Sequence, residues 1–235
     1  PLYTVGNQIN EVLLEHQSLS RREATQRSVE MLKMVGIPDP ESRVHCYPHE
    51  FSGGMRQRAM IAMALACQPE LLIADEPTTA LDVTIQAQVL RLLKQLQKSM
   101  GTSIILITHD LGVVASSCSR IIVMYGGQIM ETGQAADIFY RPRHPYTMGL
   151  LRSIPKPGEE HQRLESIPGT PPDMLNPPEG CPFYPRCEFA MQICRDRPVP
   201  EFAVDKGHCV KCWLCHPDAP RPDRYQKQKG GVLHG

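Results

Sequence analysis

The chain has 235 residues, with 25 basic and 25 acidic side chains, 41% hydrophobic residues and 21% charged residues. That length suits one sizeable core, or a domain with an appendage, and the balance is that of a soluble globular protein. A formal net charge of zero offers no whole-molecule basic field for nucleic acid. The longest clean apolar run, Ala59 to Cys67, has nine residues, where a membrane-spanning helix needs about 20. Pro1 opens a segment with no basic stretch followed by an apolar core, so no secretion signal is expected and the chain reads as cytosolic. Without an initiator Met, it also reads as truncated.

Taken in order, residues Val5 to Gly36 are expected to be mostly helical. Ser20-Arg-Arg-Glu23 has the spacing of a capping box, and Val29, Leu32 and Met34-Val35 give a helical apolar stripe that ends at Gly36. Pro38 and Pro40 predict a loop. Met55 to Cys67 reads as an Ala-rich buried helix. Leu71 to Ala74 reads as a short buried parallel strand. Val83 to Lys98 has amphipathic spacing at Ile85, Val89, Leu92-Leu93 and Leu96. Ser103 to Ile107 and Ile121 to Tyr125 are expected as second and third buried strands, and Gly126-Gly127 as a hairpin turn. This alternation describes half of a parallel α/β sheet. The composition then shifts, with sixteen of the 22 prolines after residue 140. His144 to Arg152 has helical character. Pro155 to Gly180 should be extended with turns, and the polar stretch from Pro217 should lack fixed structure.

Three segments carry chemistry. In Phe51-Ser-Gly-Gly-Met-Arg-Gln-Arg58, glycines at a helix start let an anion approach free backbone N–H groups, and Ser52 can add its hydroxyl. A plain Ser N-cap is the competing reading, with Arg56 and Arg58 as solvated face residues. In Leu71-Leu-Ile-Ala-Asp-Glu-Pro-Thr-Thr-Ala-Leu-Asp82, Asp75 and Glu76 end an apolar strand where α/β folds bind ligands. Asp75 there can hold Mg²⁺ through water, and Glu76 can orient or deprotonate an attacking water. Two solvated acids at a strand end is the alternative. In Ile107-Thr-His-Asp110, His109 follows the next strand and can hydrogen-bond a phosphate or the same water. It could equally be a strand-end residue, and Asp110 a helix cap.

In this order the three segments resemble the signature motif, Walker B strand with D-loop, and H-loop of the ABC ATPases. The resemblance covers residues 1 to roughly 135. It implies a partial P-loop NTPase of ABC type, a RecA-like parallel sheet with a helical subdomain, followed by a small irregular Cys/Pro-rich C-terminal domain. It implies ATP and Mg²⁺ as ligands. Ser52, Gly53 and Gly54 would clamp the ATP of the opposite subunit, Asp75 would coordinate Mg²⁺ through water, and Glu76 and His109 would be catalytic. Ala80-Leu81-Asp82 would lie across the dimer interface. The phosphate loop such enzymes need, with its Gly-Lys dipeptide, is absent from the 235 residues. The chain alone is therefore expected to bind ATP weakly or not at all and not to turn it over.

His144-Pro-Tyr-Thr, Leu150-Leu-Arg-Ser-Ile-Pro155, Ile167-Pro-Gly-Thr-Pro-Pro172 and Gly180-Cys-Pro-Phe-Tyr-Pro-Arg-Cys187 resemble the C-terminal region of dipeptide and oligopeptide importer ATPases, nearest to the D-type subunit of dipeptide permeases. Nickel and glutathione importers share this type of tail. The resemblance implies a second ABC ATPase subunit and two integral-membrane permease subunits as partners, an extracytoplasmic peptide-binding protein acting indirectly, and a peripheral place on the cytoplasmic face of the membrane. A non-enzymatic metal-binding or assembly module is the reading from another class. The expected divisions are 1–68, the helical subdomain; 69–140, the second half of the ATPase core; 141–215, the importer C-terminal region; and 216–235, a disordered tail.

Six of the nine cysteines lie between Cys181 and Cys215, while Cys46, Cys67 and Cys118 are isolated and read as small buried hydrophobes. A cytosolic chain disfavours disulfides. Zinc suits Cys212-x₂-Cys215, but the wider gaps do not resemble common zinc ribbons. Loop-rich Pro segments can also deliver four thiolates to an iron–sulfur cluster. In the resembled family Gly-His-x-Val-x-Cys closes such a set, and Gly207-His-Cys-Val-Lys-Cys212 matches it. The resemblance thus implies a [4Fe–4S] cluster on Cys181, Cys187, Cys194 and Cys212, with zinc as the alternative.

Overall fold

A computed structural model describes residues 2–79, 81–154, 166–220, 222, 223 and 225. The chain forms two compact units, Pro1–Asp110 and Leu111–Gly235.

The first unit is built on a helical core. Thr4 caps α1 (Val5–His16), which buries Val5, Ile9 and Leu13 at four-residue spacing. The capping box at Ser20 and Glu23 forms and starts α2 (Arg21–Met34). A polar tie joins these helices: Ser28, fully buried, donates to Asn10 Oδ1 at 2.7 Å, and Asn10 Nδ2 donates to Thr25 Oγ1 at 2.9 Å. The Pro38–Pro40 segment is less loop-like than its prolines suggest, because Pro40 sits at the first position of a one-turn helix, α3 (Pro40–Arg43), where its missing N–H costs nothing. Ser52 caps α4 (Gly53–Leu65), and Asp82 caps α5 (Val83–Met100), which buries Val89, Leu92, Leu93 and Leu96 and ends at Gly101 in the left-handed region. β1 (Leu71–Asp75) pairs in parallel with β2 (Ser103–Ile107), in register from Leu71↔Ser103 to Asp75↔Ile107. Only one face of this two-stranded sheet is covered. Leu72 and Ile104 join the helical core, while Leu71, Ile73, Ile105 and Ile107 are about half exposed on the other. Burial on both faces, expected from the apolar runs, is therefore not found.

The second unit opens with α6 (Leu111–Ser117) and β3 (Arg120–Tyr125). β3 is not a third strand of the parallel sheet. Gly126 and Gly127, both at positive φ, turn the chain straight back into β4 (Gln128–Gln134), which pairs antiparallel with β3. β4 in turn pairs with β6 (His208–Val210), and β6 with β5 (Phe202–Asp205), giving the order β3-β4-β6-β5. The sheet thus draws its far half from more than 60 residues downstream. α7 (Ala135–Tyr140), α8 (Pro145–Arg152) and α9 (Gln192–Asp196) complete the unit. Residues 166–180 carry no helix or strand. Residues 155–165 and, of the stretch from Pro217 for which unfixed structure was expected, residues 221, 224 and 226–235 lie outside the described residues, as does Ala80, whereas Tyr225 is buried and its hydroxyl donates to the Arg143 carbonyl at 2.8 Å. Among the described residues no helix is long and apolar enough to cross a membrane.

Candidate functional site

In the first unit the ends of β1 and β2 bring acidic and imidazole groups together. Asp75 is the last residue of β1, directly opposite Ile107. Glu76 follows at φ +45°, a left-handed backbone that a β-carbon disfavours. Three contacts hold it there. Its N–H donates to the Ile107 carbonyl at 2.9 Å, carrying the parallel ladder one residue past the strand. The Thr79 hydroxyl donates to Oε2 at 2.7 Å, and His109 Nδ1 lies 2.9 Å from Oε1. Hydrogen bonding from His109, then from Thr79, holds the Glu76 carboxyl below its usual range. A carboxylate only accepts hydrogen bonds, so the proton of this pair sits on His109 Nδ1. Both side chains are open to solvent, His109 at 78% and Glu76 at 44%. Thr79 was not singled out in the sequence beyond its place in the segment Leu71–Asp82.

Ser52 and the two glycines lie at the start of α4. The Ser52 hydroxyl oxygen accepts from Met55 N–H at 3.3 Å, so the plain N-cap geometry is present. That long contact leaves the hydroxyl proton free to point outward, and the first N–H groups of a helix have no partner within it. The starts of α4 and α5 pack closely. A β-carbon on Gly54 would lie 3.0 Å from Ile85 Cγ2, and one on Gly53 would lie 3.8 Å from Leu81 Cδ2. Gly54 is thus tied to helix packing as well as to any ligand. Asp82 Oδ1 accepts from Ile85 N–H at 2.9 Å and caps α5. Arg58, expected on a solvated face, instead donates to the Val35 carbonyl at 2.7 Å and to Gln88 Oε1 at 3.2 Å.

A second centre lies within the other unit. A small cavity is lined by Cys181, Cys187, Cys194 and Cys212, together with His144, Tyr184, Phe189 and Trp213. Cys209 and Cys215 are not among its lining residues. The loops that carry the thiols meet by backbone contact: Cys181 N–H donates to the Cys194 carbonyl at 2.7 Å. A β-carbon on Gly180 would lie 2.2 Å from that same carbonyl oxygen, so only glycine fits there. Burial pushes the Cys187 thiol up to about 12, raises Cys181, and holds Cys212 well above the usual thiol range. Four thiols facing one void, with thiolates disfavoured unless a cation compensates, are the donor chemistry of a soft metal group. Among the described residues, however, no three His, Cys, Asp or Glu side chains are placed to hold a single metal ion. Neither the iron–sulfur site nor the zinc site expected from the sequence is therefore seen preformed among the described residues.

Two residues beside this cavity carried no sequence signal for their burial. Glu131 is fully buried in β4 and accepts three hydrogen bonds, from Arg143 N–H at 2.7 Å, His144 N–H at 2.9 Å and His208 Nε2 at 2.7 Å. His144 caps α8, accepting from Tyr146 N–H at 3.0 Å through Nδ1. Burial lowers the His144 pKa from 6.5 to about 4. Its folded value lies below its unfolded one, so the contribution is present above pH 6.5 and lost as pH falls toward 4. The expected loss is on the order of 3 kcal/mol. Denaturant midpoints of metal-free protein across this range should fall with acidification, more steeply than those of a His144→Asn variant. Parallel slopes for the two proteins would contradict it.

The ABC transporter family profile matches residues 3–79, and the profile of the oligopeptide/dipeptide transporter C-terminal region matches residues 130–194. The chain is 60% identical over 224 residues to an oligopeptide transport ATP-binding protein, OppD, of Bacillus subtilis, covering 94% of this chain and 62% of that protein. It is 54% identical over 215 residues to the dipeptide transport ATP-binding protein DppD of the same organism, covering 91% of this chain and 64% of that one. The chain therefore spans less than two thirds of these relatives' length. Among solved structures, it is similar to the dimeric structure of MJ0796, a bacterial ABC transporter cassette, with TM-score 0.50, 31% identity, and 57% and 58% of the two chains covered. It is likewise similar to cbiO1 from Clostridium perfringens, part of the transporter complex cbiONQ, with TM-score 0.51, 30% identity, and 57% and 52% covered.

Proposed function

This chain belongs to the ABC transporter ATP-binding family and carries the C-terminal region of its oligopeptide/dipeptide branch, and on that premise we propose that it serves the ATP-hydrolysing subunit of a peptide importer. The observation that carries this reading is the Glu76–His109 pair at the joined ends of two parallel strands, beside Asp75. Asp75 would hold Mg²⁺ through water. Glu76, kept ionised, would accept the proton of the attacking water as the bond from the γ-phosphorus to its bridging oxygen breaks, leaving ADP and phosphate. His109 has a more limited role than its position first suggests. With its proton on Nδ1 toward Glu76, a neutral ring offers only a lone pair at Nε2. To donate to a phosphate it must be protonated or turn away from Glu76. Ser52, Gly53 and Gly54 would present a hydroxyl and free N–H groups to the ATP of a second ATPase subunit, at the positive end of α4.

ATP hydrolysis would drive two permease subunits from the cytoplasmic face of the membrane, with peptide delivered by an extracytoplasmic binding protein. The 235-residue chain alone contains no Gly-Lys phosphate loop, and its expected ATP turnover is nil. Steady-state hydrolysis by the purified chain would refute that expectation. The transport reading is tested in vesicles holding the assembled complex with its binding protein. ATP-dependent uptake of labelled di- and oligopeptides is expected, and uptake of nickel or glutathione alone would replace peptide as the substrate.

The four-cysteine cavity supports a second assignment, a [4Fe–4S] cluster on Cys181, Cys187, Cys194 and Cys212. The four cysteines line one small cavity, though among the described residues no group is placed to hold a metal ion. When bound, the cluster would supply four Fe–S cross-links between Pro-rich loops and neutralise the thiolates. Anaerobically purified protein should be brown, with bound iron and sulfide. Colourless protein with one zinc would overturn the assignment.

A further inference from the structure

Glu76 has to aim its carboxylate with no core around it. Its side chain is nearly half exposed, and its backbone sits at φ +45°. A glutamate open to solvent samples several rotamers, whereas a base works only within hydrogen-bond reach of the proton that it takes. The aim must therefore come from hydrogen bonds, and each carboxylate oxygen makes one. His109 meets Oε1 from the segment after β2, and Thr79 donates to Oε2 at 2.7 Å from the turn after β1.

The Thr79 contact is closed by the backbone as well. Thr79 N–H donates to the Glu76 carbonyl at 3.2 Å, completing a four-residue turn. Pro77 takes its second position, where a fixed φ suits the turn. Main chain and side chain of Thr79 thus both return to Glu76, and branching at the β-carbon restricts where the hydroxyl can point. The two adjacent threonines differ. Thr78 is buried and its carbonyl accepts from Leu81 N–H at 3.2 Å, while Thr79 is exposed. The segment that carries His109 is anchored separately: Asp110 Oδ2 accepts from Gln86 Nε2 on α5 at 3.1 Å, and Asp110 N–H donates to Thr108 Oγ1 at 3.1 Å. The carboxylate is held from two independent sides, and each oxygen keeps a further lone-pair direction for a water.

We infer that Thr79 is a positioning residue for Glu76, its hydroxyl holding the carboxylate in the orientation that receives the proton of the attacking water. This rests on the reading of Glu76 as the base. Thr79 acts through the carboxylate and touches no reacting atom.

The test uses Thr79→Val, which keeps the shape of the side chain without its hydroxyl, and Thr79→Ser, which keeps the hydroxyl. In the 235-residue chain carrying ¹³C in its glutamate carboxyls, the Glu76 resonance is the one missing from Glu76→Gln. At neutral pH that resonance is expected to move in Thr79→Val toward those of the chain's solvated glutamates, and to hold its place in Thr79→Ser. In an assembled transporter whose ATPase subunit supplies the phosphate loop, Thr79→Val is expected to lower ATP turnover about tenfold at unchanged MgATP affinity. Thr79→Ser should restore most of that turnover, and thermal melts should match wild type because Thr79 is exposed. If Glu76→Gln has lost turnover, a Thr79→Val variant equal to wild type in turnover or in the carboxyl resonance overturns this inference alone. A lowered melt, or MgATP affinity lost in step with turnover, assigns Thr79 to the fold or to binding and overturns it too. Near-normal turnover by Glu76→Gln overturns the reading of Glu76 as the base, and the inference with it.

Discussion

Glu76→Gln is expected to lower ATP turnover by about 10²–10⁴-fold in an assembled transporter whose ATPase subunit supplies the phosphate loop that these 235 residues lack. The substitution keeps the size of the side chain, and the Thr79 hydroxyl can still donate to the amide oxygen at this site. What is lost is the ability to take a proton. Glu76 is half exposed and packs against no core, so the change should not unfold the first unit. Binding of MgATP by that assembly should be nearly unchanged, because its phosphate loop, Asp75 and the groups at the start of α4 are untouched. The check is a pair of measurements, steady-state hydrolysis and nucleotide affinity, on wild-type and variant complexes. Near-normal turnover would remove Glu76 from the chemistry and leave it as a turn residue. Loss of affinity in step with turnover would instead assign it to ground-state binding.

Glu131→Ala is expected to destabilise the second unit by about 3–6 kcal/mol. One carboxylate here satisfies donors from three places in the chain: Arg143 and His144 at the start of α8, and His208 in β6. Truncation strands two backbone N–H groups and an imidazole nitrogen in a site with no water access. In a unit of this size that corresponds to a fall of roughly 10 °C or more in melting temperature. Glu131→Gln should cost less, since one oxygen remains to accept, while its amide nitrogen is set against a donor. Thermal melts of the two variants beside wild type would show this ordering. An unchanged melt for Glu131→Ala would mean that the three donors find other acceptors.

Much of the first unit was legible in sequence because its signals are local. The capping box at Ser20 and Glu23, the cap at Ser52 and the apolar stripe of α5 are each set within a few residues, whereas the cap that Asp82 places on α5 was not read there. The Glu76–His109 meeting was legible for a different reason. Two parallel strands in register place their ends side by side, so residues just past each strand must be neighbours. The left-handed backbone at Glu76 had no such signal.

The second unit was less legible because its pairings are distant. Ile121 to Tyr125 reads as a buried run, yet Ile122 and Met124 are 55% and 56% exposed. The Gly126-Gly127 turn commits the strand to an antiparallel neighbour, and that neighbour's other edge is taken by β6. Glu131 sits in the polar segment Gln128–Gln134, where nothing local marks it for full burial. The spacing of the cysteines suggests loops, but which thiols share a wall is decided by contacts such as Cys181 with Cys194.

The two-stranded sheet of the first unit has a consequence for how the protein behaves in a tube. β1 and β2 each have an outer edge with no strand partner among the described residues, and the sheet turns Leu71, Ile73, Ile105 and Ile107 toward solvent. Such edges accept extended backbone from any chain that arrives, and a bare aliphatic face holds it there. Light scattering from the isolated protein should therefore grow with concentration, and a charged side chain in place of Ile73 should suppress that growth without disturbing the helices behind it.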